Sequence, residues 1–314
     1  MGSALIQLCQ DAAIELGLPV PNMIVRASDN TGRQFGGLVN RVGRLLLRLN
    51  DWTFLTRENH LTVPEPIQFP NAQLFVGSNT ISGVPSAIAT QLQPSTMIVS
   101  GYGIMTSVRL ITVDRVAGIV TIDQPATFTG RSDLMFRTDT LPLPADYERP
   151  INRTYWDRSM RWELRGPQSP QSDQWVRSGI VATGPRRMYR EINNALRIWP
   201  APIPSDFGSQ LIHEYISSYW VRDAGGAAKP RFTADQDTCV FEDDLMTMGL
   251  KYLFFQIKGF DTAGLERQWR LAVQNAIAVD GPSPTLDMDR TRFPIFISPS
   301  NVQDADFPGS FGNR

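Results

Sequence analysis

The residue types that ordinarily carry reactions are sparse in this chain of 314 residues. Its two histidines, His60 and His213, both sit in alternating, strand-like stretches. A catalytic histidine needs a nucleophile within hydrogen-bond reach, and no G-x-S-x-G turn offers one. Asp287-Met288-Asp289 alternates carboxylates as a calcium loop does, but it lacks the central glycine and closing glutamate such a loop requires. Gly101-Tyr102-Gly103 begins like a phosphate-cradling motif, yet position 106 is threonine and no helix signal follows, so it reads as a turn. Glu242, Asp243 and Asp244 precede an apolar helical run, and carboxylates there complement the positive end of the helix dipole. Cys9 and Cys239 are too few for a disulfide framework and read as small buried hydrophobes in a reducing compartment. The expectation is a non-enzyme with no cofactor and no metal.

Contact chemistry is better represented. Arg153, Tyr155, Trp156, Arg158, Arg161 and Trp162 crowd into Asn152–Trp162, with Arg149 just before them. Trp, Tyr and Arg bury large areas while keeping a polar handle, the composition of an interface hot spot. A second candidate lies upstream. On a helix, Arg33, Arg41, Arg44 and Arg48 fall within roughly 80° of each other, opposite Phe35, Leu38, Val42, Leu45, Leu46 and Leu49. With little acid interleaved, that stripe suits phosphates or an acidic partner.

The elements that must position these residues give an α+β chain. Ser3 is placed to cap a first helix through Leu16, with Leu5, Leu8, Ala12, Ala13 and Leu16 on one face. A second helix runs from about Thr31 to Asn50. From Glu58 to Val240 short alternating segments predict strands, among them His60–Val63, Leu196–Trp199 and Leu211–Ile216. Met188–Ile192 and Ala195–Trp199 flank Asn193-Asn194, which suits a tight hairpin because Asn tolerates positive φ. Residues 71–137 are poor in charge and read as an inserted β module with strands at Leu74–Ile81, Thr96–Val99, Val108–Val113 and Gly118–Ile122. Helices return from Glu242 to Lys258, closed by Gly259, and from Asp261 or Thr262 to about Val279.

The resulting division is residues 1–57 and 241–281 as terminal helices packed in one bundle, 58–70 with 138–240 as a β-rich domain, the insert 71–137, and a tail 282–314. The tail is rich in Pro, Ser, Asn, Gly and Asp, yet carries Phe293, Ile295, Phe296, Ile297, Phe307 and Phe311, and is expected to dock on a partner. A formal charge of −1 and a pI near 6.2 give no global attraction to nucleic acid or to an anionic membrane. No basic n-region with a cleavage site and no apolar run of about 18 residues is visible, so a soluble protein made in the cytoplasm is expected.

Eight segments carry a family resemblance. They are LCQDAAIELGLP (Leu8–Pro19), RLNDWTFLTRE (Arg48–Glu58), LPADYERPINRTYWDR (Leu143–Arg158), GPQSPQSDQW (Gly166–Trp175), LRIWPAP (Leu196–Pro202), HEYISSYWV (His213–Val221), FTADQDT (Phe232–Thr238) and DLMTMGLKYLFFQIKG (Asp244–Gly259). In this order and spacing they resemble the head-to-tail adaptor proteins of short-tailed bacteriophages, also described as connector or tail tubular protein A-like. The resemblance implies a homo-oligomeric ring, typically of twelve subunits, between portal protein and tail nozzle in the virion. Double-stranded DNA would pass through its lumen, and a C-terminal segment would reach the portal. The insert departs from that pattern. Through Ile98–Ile104 and Val113–Thr127 it resembles small β modules of phage tail and fibre proteins, which implies either a mount for a fibre or spike or a decoration on the outside of the ring. Two rival readings remain: a carbohydrate-binding or depolymerising tail protein, and a DNA-binding regulator using the Arg stripe.

Overall fold

The computed structural model describes residues 2–93, 96–105, 108–177, 187–202 and 206–281. The protein is a mixed α and β structure that divides into two units. Among the described residues, one takes Gly2–Glu58, Ala145–Ile151 and Glu214–Gly281; the other takes those within Asn59–Pro144 and Asn152–His213.

In the first unit, α1 (Leu5–Glu15) and α2 (Asn30–Leu49) share a core with two later helices, Asp243–Lys258 and Ala263–Asp280. Ser3 does not cap α1. Its backbone N–H and hydroxyl both donate to Asp243, the hydroxyl at 2.7 Å, tying the start of the chain to the first turn of the Asp243 helix. Asp29 caps α2, accepting the Gly32 N–H at 2.7 Å. The buried stripe of α2 is Phe35, Leu38, Val39, Val42, Gly43, Leu46 and Leu47. Leu45 and Leu49, expected on that stripe, are exposed instead. Leu49 is the last residue of α2, and for Leu45 the reason is Gly43, which turns inward against the ring of Trp220, where any Cβ would collide. The buried arc is thereby centred on the Val42–Gly43 side, away from Leu45. Gly249 repeats the device on the Asp243 helix, where a Cβ would lie 2.7 Å from Val42 Cγ1. Trp220, Phe232, Phe241, Trp52 and Phe35 are the large side chains of this core, with Trp220 and Phe232 edge to face at 5.2 Å.

Small strands complete the unit. The pair Val221–Arg222 lies antiparallel between Ala228–Lys229 and Thr238–Cys239, and Tyr147–Pro150 pairs with Tyr215–Ser217. Asp146 binds the Tyr215 hydroxyl at 2.9 Å, the Ser217 hydroxyl at 2.6 Å and Arg57 at 3.1 Å. Arg149 donates to the Leu47 and Asn50 carbonyls and pairs with Asp51 at 2.7 Å, so a cation closes the C-terminal end of α2.

The second unit contains a six-stranded antiparallel sheet. Its strands, in chain order, are β2 (Ile67–Leu74), β3 (Thr80–Ile81), β4 (Met97–Ser100), β5 (Val108–Asp114), β6 (Ile119–Ile122) and β7 (Gly130–Arg137), following β1 (Thr56–Thr62). They are arranged β2-β7-β4-β5-β6-β3, with the short helix α3 (Ser86–Ala89) between β3 and β4. This sheet has its own core, including Leu74, Ile81, Leu92, Val120, Ile122 and Phe136. The expected strand Leu74–Ile81 is for the most part the connection between β2 and β3. The sheet begins at Ile67, four residues before the Asn71 expected from composition, because Pro70-Asn71 is a bulge inside β2 and not a turn before it. Asn71 has φ 57° and the register shifts between Phe69 and Ala72. Proline is admissible because β2 is an edge strand.

Next come β8 (Thr140–Pro142), β9 (the Tyr147–Pro150 strand above), β10 (Trp156–Asp157), β11 (Trp162–Glu163) and α4 (Pro170–Arg177). The hairpin β12 (Met188–Ile192) and β13 (Ala195–Trp199) pairs in full register across Asn193 and Asn194, whose φ of 50° and 54° are those of a two-residue turn with both residues left-handed. It is followed by β14 (Gln210–Ser217), and β13 also pairs with β8. The Val221, Ala228 and Thr238 strands are β15, β16 and β17, and the two C-terminal helices α5 and α6.

Candidate interaction surface

The Arg and aromatic run folds as a hairpin in the second unit. Strands β10 and β11 pair with Trp156 opposite Glu163 and Asp157 opposite Trp162. Side chains alternate across a strand, so Trp156 and Trp162 leave on opposite faces and do not form one patch. Arg153 and Arg161 occupy left-handed turn positions, with φ 64° and 58°. The loop between the strands is wound on Asp157, which accepts the Ser159 and Met160 N–H groups, each at 3.0 Å, and is held from behind by Arg187 at 2.8 Å.

Arg153, Arg158 and Arg161 are exposed, as is Met160, while Trp156 and Trp162 are half-buried. Tyr155, expected on the contact surface, is buried. It is the middle ring of a stack, 4.0 Å from Tyr189 and 4.5 Å from His213, and its hydroxyl donates to Glu191 at 2.7 Å. Alternation explains the difference, because the residue before Trp156 must face the other way. His213 is fully buried there, and burial holds its pKa down at about 4, so the ring is neutral near pH 7.

Arg33, Arg41, Arg44 and Arg48 are all exposed on α2 in the first unit. Arg33 donates to the Ala27 carbonyl at 2.9 Å, Arg44 to the Asn40 carbonyl at 3.2 Å, and Arg48 lies 3.9 Å from Glu148. Exposed Leu45 and Leu49 run between Arg41, Arg44 and Arg48, so the face is basic and partly apolar. The two candidate surfaces belong to different units. Phe293, Ile295, Phe296, Ile297, Phe307 and Phe311, with Asp287 and Asp289, lie outside the described residues.

Burial pushes the Cys9 and Cys239 thiols up to about 12, which suppresses the thiolate. Asp243 is occupied by Ser3. Among the described residues no group of three or more His, Cys, Asp and Glu side chains could hold a metal ion. No helix among them is long and apolar enough to cross a membrane.

Sequence reasoning missed one constellation in the second unit. Asp139, wholly buried, meets Arg109 at 2.7 Å, Arg177 at 2.9 Å and Arg197 at 3.4 Å. Asp173 meets Arg177 at 2.7 Å, Arg190 at 3.4 Å and Arg197 at 3.7 Å. Burial raises the Asp139 pKa, but the Arg109 hydrogen bond and the charges of Arg109, Arg177 and Arg197 outweigh it and hold the carboxyl at about 2. Only Asp173 and Arg177, four apart on α4, were adjacent enough to be legible. Compared with known families and with curated proteins, the chain matches no family model and no curated protein.

Proposed function

We propose that this chain is a structural subunit of a head-to-tail adaptor ring in a short-tailed bacteriophage, seated between the portal and the tail nozzle and enclosing the passage for double-stranded DNA. In this reading the four long helices form a bundle that brackets the β-rich domain, and the six-stranded sheet is an inserted module that serves as a mount for a fibre or spike. The ring would hold about twelve copies in closed rotational symmetry, each offering one face to the next.

The observation that carries the reading is the ordered series of adaptor-like segments from Leu8 to Gly259. Residues within those segments make the tertiary ties of the fold: Asp146 on Tyr215 and Ser217, Arg149 on the end of α2, Asp157 at the β10–β11 loop, and Asp237 on the Thr233 and Ala234 N–H groups. The exposed faces offer Arg41, Arg44 and Arg48 with Leu45 and Leu49 on one unit, and Arg153, Arg158 and Arg161 with Met160 on the other. These are the subunit and partner contacts in this reading, with residues 282–314 reaching the portal through their Phe and Ile side chains. Ordering of that segment on the portal would confine ring formation to filled heads, at an entropic cost set against apolar burial. A near-neutral chain suits a conduit along which DNA must slide.

The test is sedimentation of the full chain with and without its cognate portal. Co-sedimentation as a closed multimer is the expected result, lost when Arg41 and Arg44 are both changed to Glu. A chain that ignores the portal and instead binds short duplexes tightly, with steep salt dependence, would favour the regulator reading.

A further inference from the structure

The Asp139 and Asp173 constellation holds more positive than negative charge. Four guanidinium groups, of Arg109, Arg177, Arg190 and Arg197, lie within ion-pair distance of two carboxylates among the described residues. Their side chains are 22%, 10%, 19% and 15% exposed, so the excess is poorly hydrated. Of the sequence outside the described residues, 94–95, 106–107, 178–186 and 203–205 contain no Asp or Glu, and 282–314 contains Asp287, Asp289, Asp304 and Asp306.

Two buried hydrogen-bond donors at the same place have no partner among the described residues: Arg177 Nη2 and Trp199 Nε1. They belong to groups in contact, since the Arg177 guanidinium carbon stands 4.8 Å from the centre of the Trp199 ring. Neither group can accept a hydrogen bond, so only an acceptor satisfies them. An unmet buried donor costs about 1–3 kcal/mol, and more where the group is charged. A net positive, half-enclosed cluster whose two unpartnered groups are both donors is complementary to an anionic acceptor, and planar guanidinium forks match an oxyanion's geometry in pairs.

We infer that Arg177, Trp199 and the flanking guanidinium groups of Arg109, Arg190 and Arg197 form a binding site for an oxyanion, a phosphate or carboxylate group. Arg109 and Arg190, the most exposed of the four, line the approach. The residues come from β5, α4, β12 and β13, so a bound anion joins the six-stranded sheet to the hairpin layer through one set of charges. The anion is a mechanical part of the second unit in this account, and it takes no covalent step. Its two sources, a free tetrahedral anion and a carboxylate on a protein segment, share this chemistry.

The experiment is thermal unfolding of the full chain in inorganic phosphate, in acetate and in chloride at equal ionic strength. A saturable rise in Tm of a few degrees over chloride is expected with one of the two oxyanions; the larger response in phosphate identifies a free anion, and the larger response in acetate a protein carboxylate. Trp199→Phe keeps a ring over Arg177 and deletes one donor. It should weaken the response about tenfold, measured against the variant's own Tm in chloride. Arg190→Gln, at the more exposed edge, should weaken it as well, and phosphorus NMR line broadening on the folded variants gives a second readout. Equal Tm in all three salts, or the same saturable response in both variants, overturns the assignment.

Discussion

Trp220 and Asp139 are both fully buried, one in each unit, and their surroundings are opposite in kind. Around Trp220 stand Phe232, Phe241 and Gly43 in a core of apolar side chains. Around Asp139 stand Arg109, Arg177 and Arg197. Apolar packing is non-directional and proportional to area removed from water, so the first unit should respond to changes of volume. Buried charge is stable only while every partner stays, so the second should respond to pH, anions and loss of a single carboxylate.

The sharpest way to break the comparison is Asp139→Asn. It leaves the guanidinium groups of Arg109, Arg177 and Arg197 without their shared counter-charge, and breaking a buried ion pair costs about 3–5 kcal/mol. In denaturant titrations of the full chain followed by hydrogen exchange, protection should fall in β12 and β13 and persist in α2 and α5. Equal loss in both units would mean that they do not unfold separately. Gly43→Ala is the converse. Its Cβ must displace the Trp220 ring, and overpacking of this kind costs about 1–3 kcal/mol, here in the first unit.

Acid should act on the second unit first. The His213 pKa is about 4 in the fold against 6.5 when free, so between pH 6.5 and 4 the unfolded chain takes up the proton first and stability falls with falling pH. The steepest slope for one such group is about 1.4 kcal/mol per pH unit. His213→Phe, which keeps the stack on Tyr155, should flatten the profile in that window. Asp139 adds a second loss below pH 3.8, complete near pH 2, because its carboxylate is held by the arginines only while ionised. The smallest expected effect is Asp29→Ala, which removes the cap on α2 for about 1 kcal/mol and should be read as lowered hydrogen-exchange protection in α2 with β12 and β13 unchanged.

Legibility in the sequence followed the range of the interaction. The α5 and α6 helices and the β12–β13 hairpin were readable because helix periodicity and the Asn193-Asn194 turn are local signals. The start of the six-stranded sheet was misplaced because Pro70-Asn71 in a bulge has the composition of a turn. Leu45 and Leu49 were placed inside because periodicity gives the width of an apolar stripe; its centre was set by Trp220, far along the chain, seated against Gly43. Tyr155 was grouped with Trp156 by proximity in sequence, where the alternation of a strand separates them. The charged constellation was invisible for the plainest reason. Asp139 stands 30 residues from Arg109 and 58 from Arg197, and nothing local marks residues that meet only after folding.

The proposed adaptor role requires repeated contacts between copies of this chain around a passage. The most direct measurement is an electron-microscopic reconstruction, without imposed symmetry, of the chain bound to its cognate portal. The expected result is a closed ring of equivalent copies about a channel wide enough for duplex DNA, with Arg41, Arg44 and Arg48 at subunit or partner contacts. A single copy on the portal, or no density attributable to the chain, would contradict it.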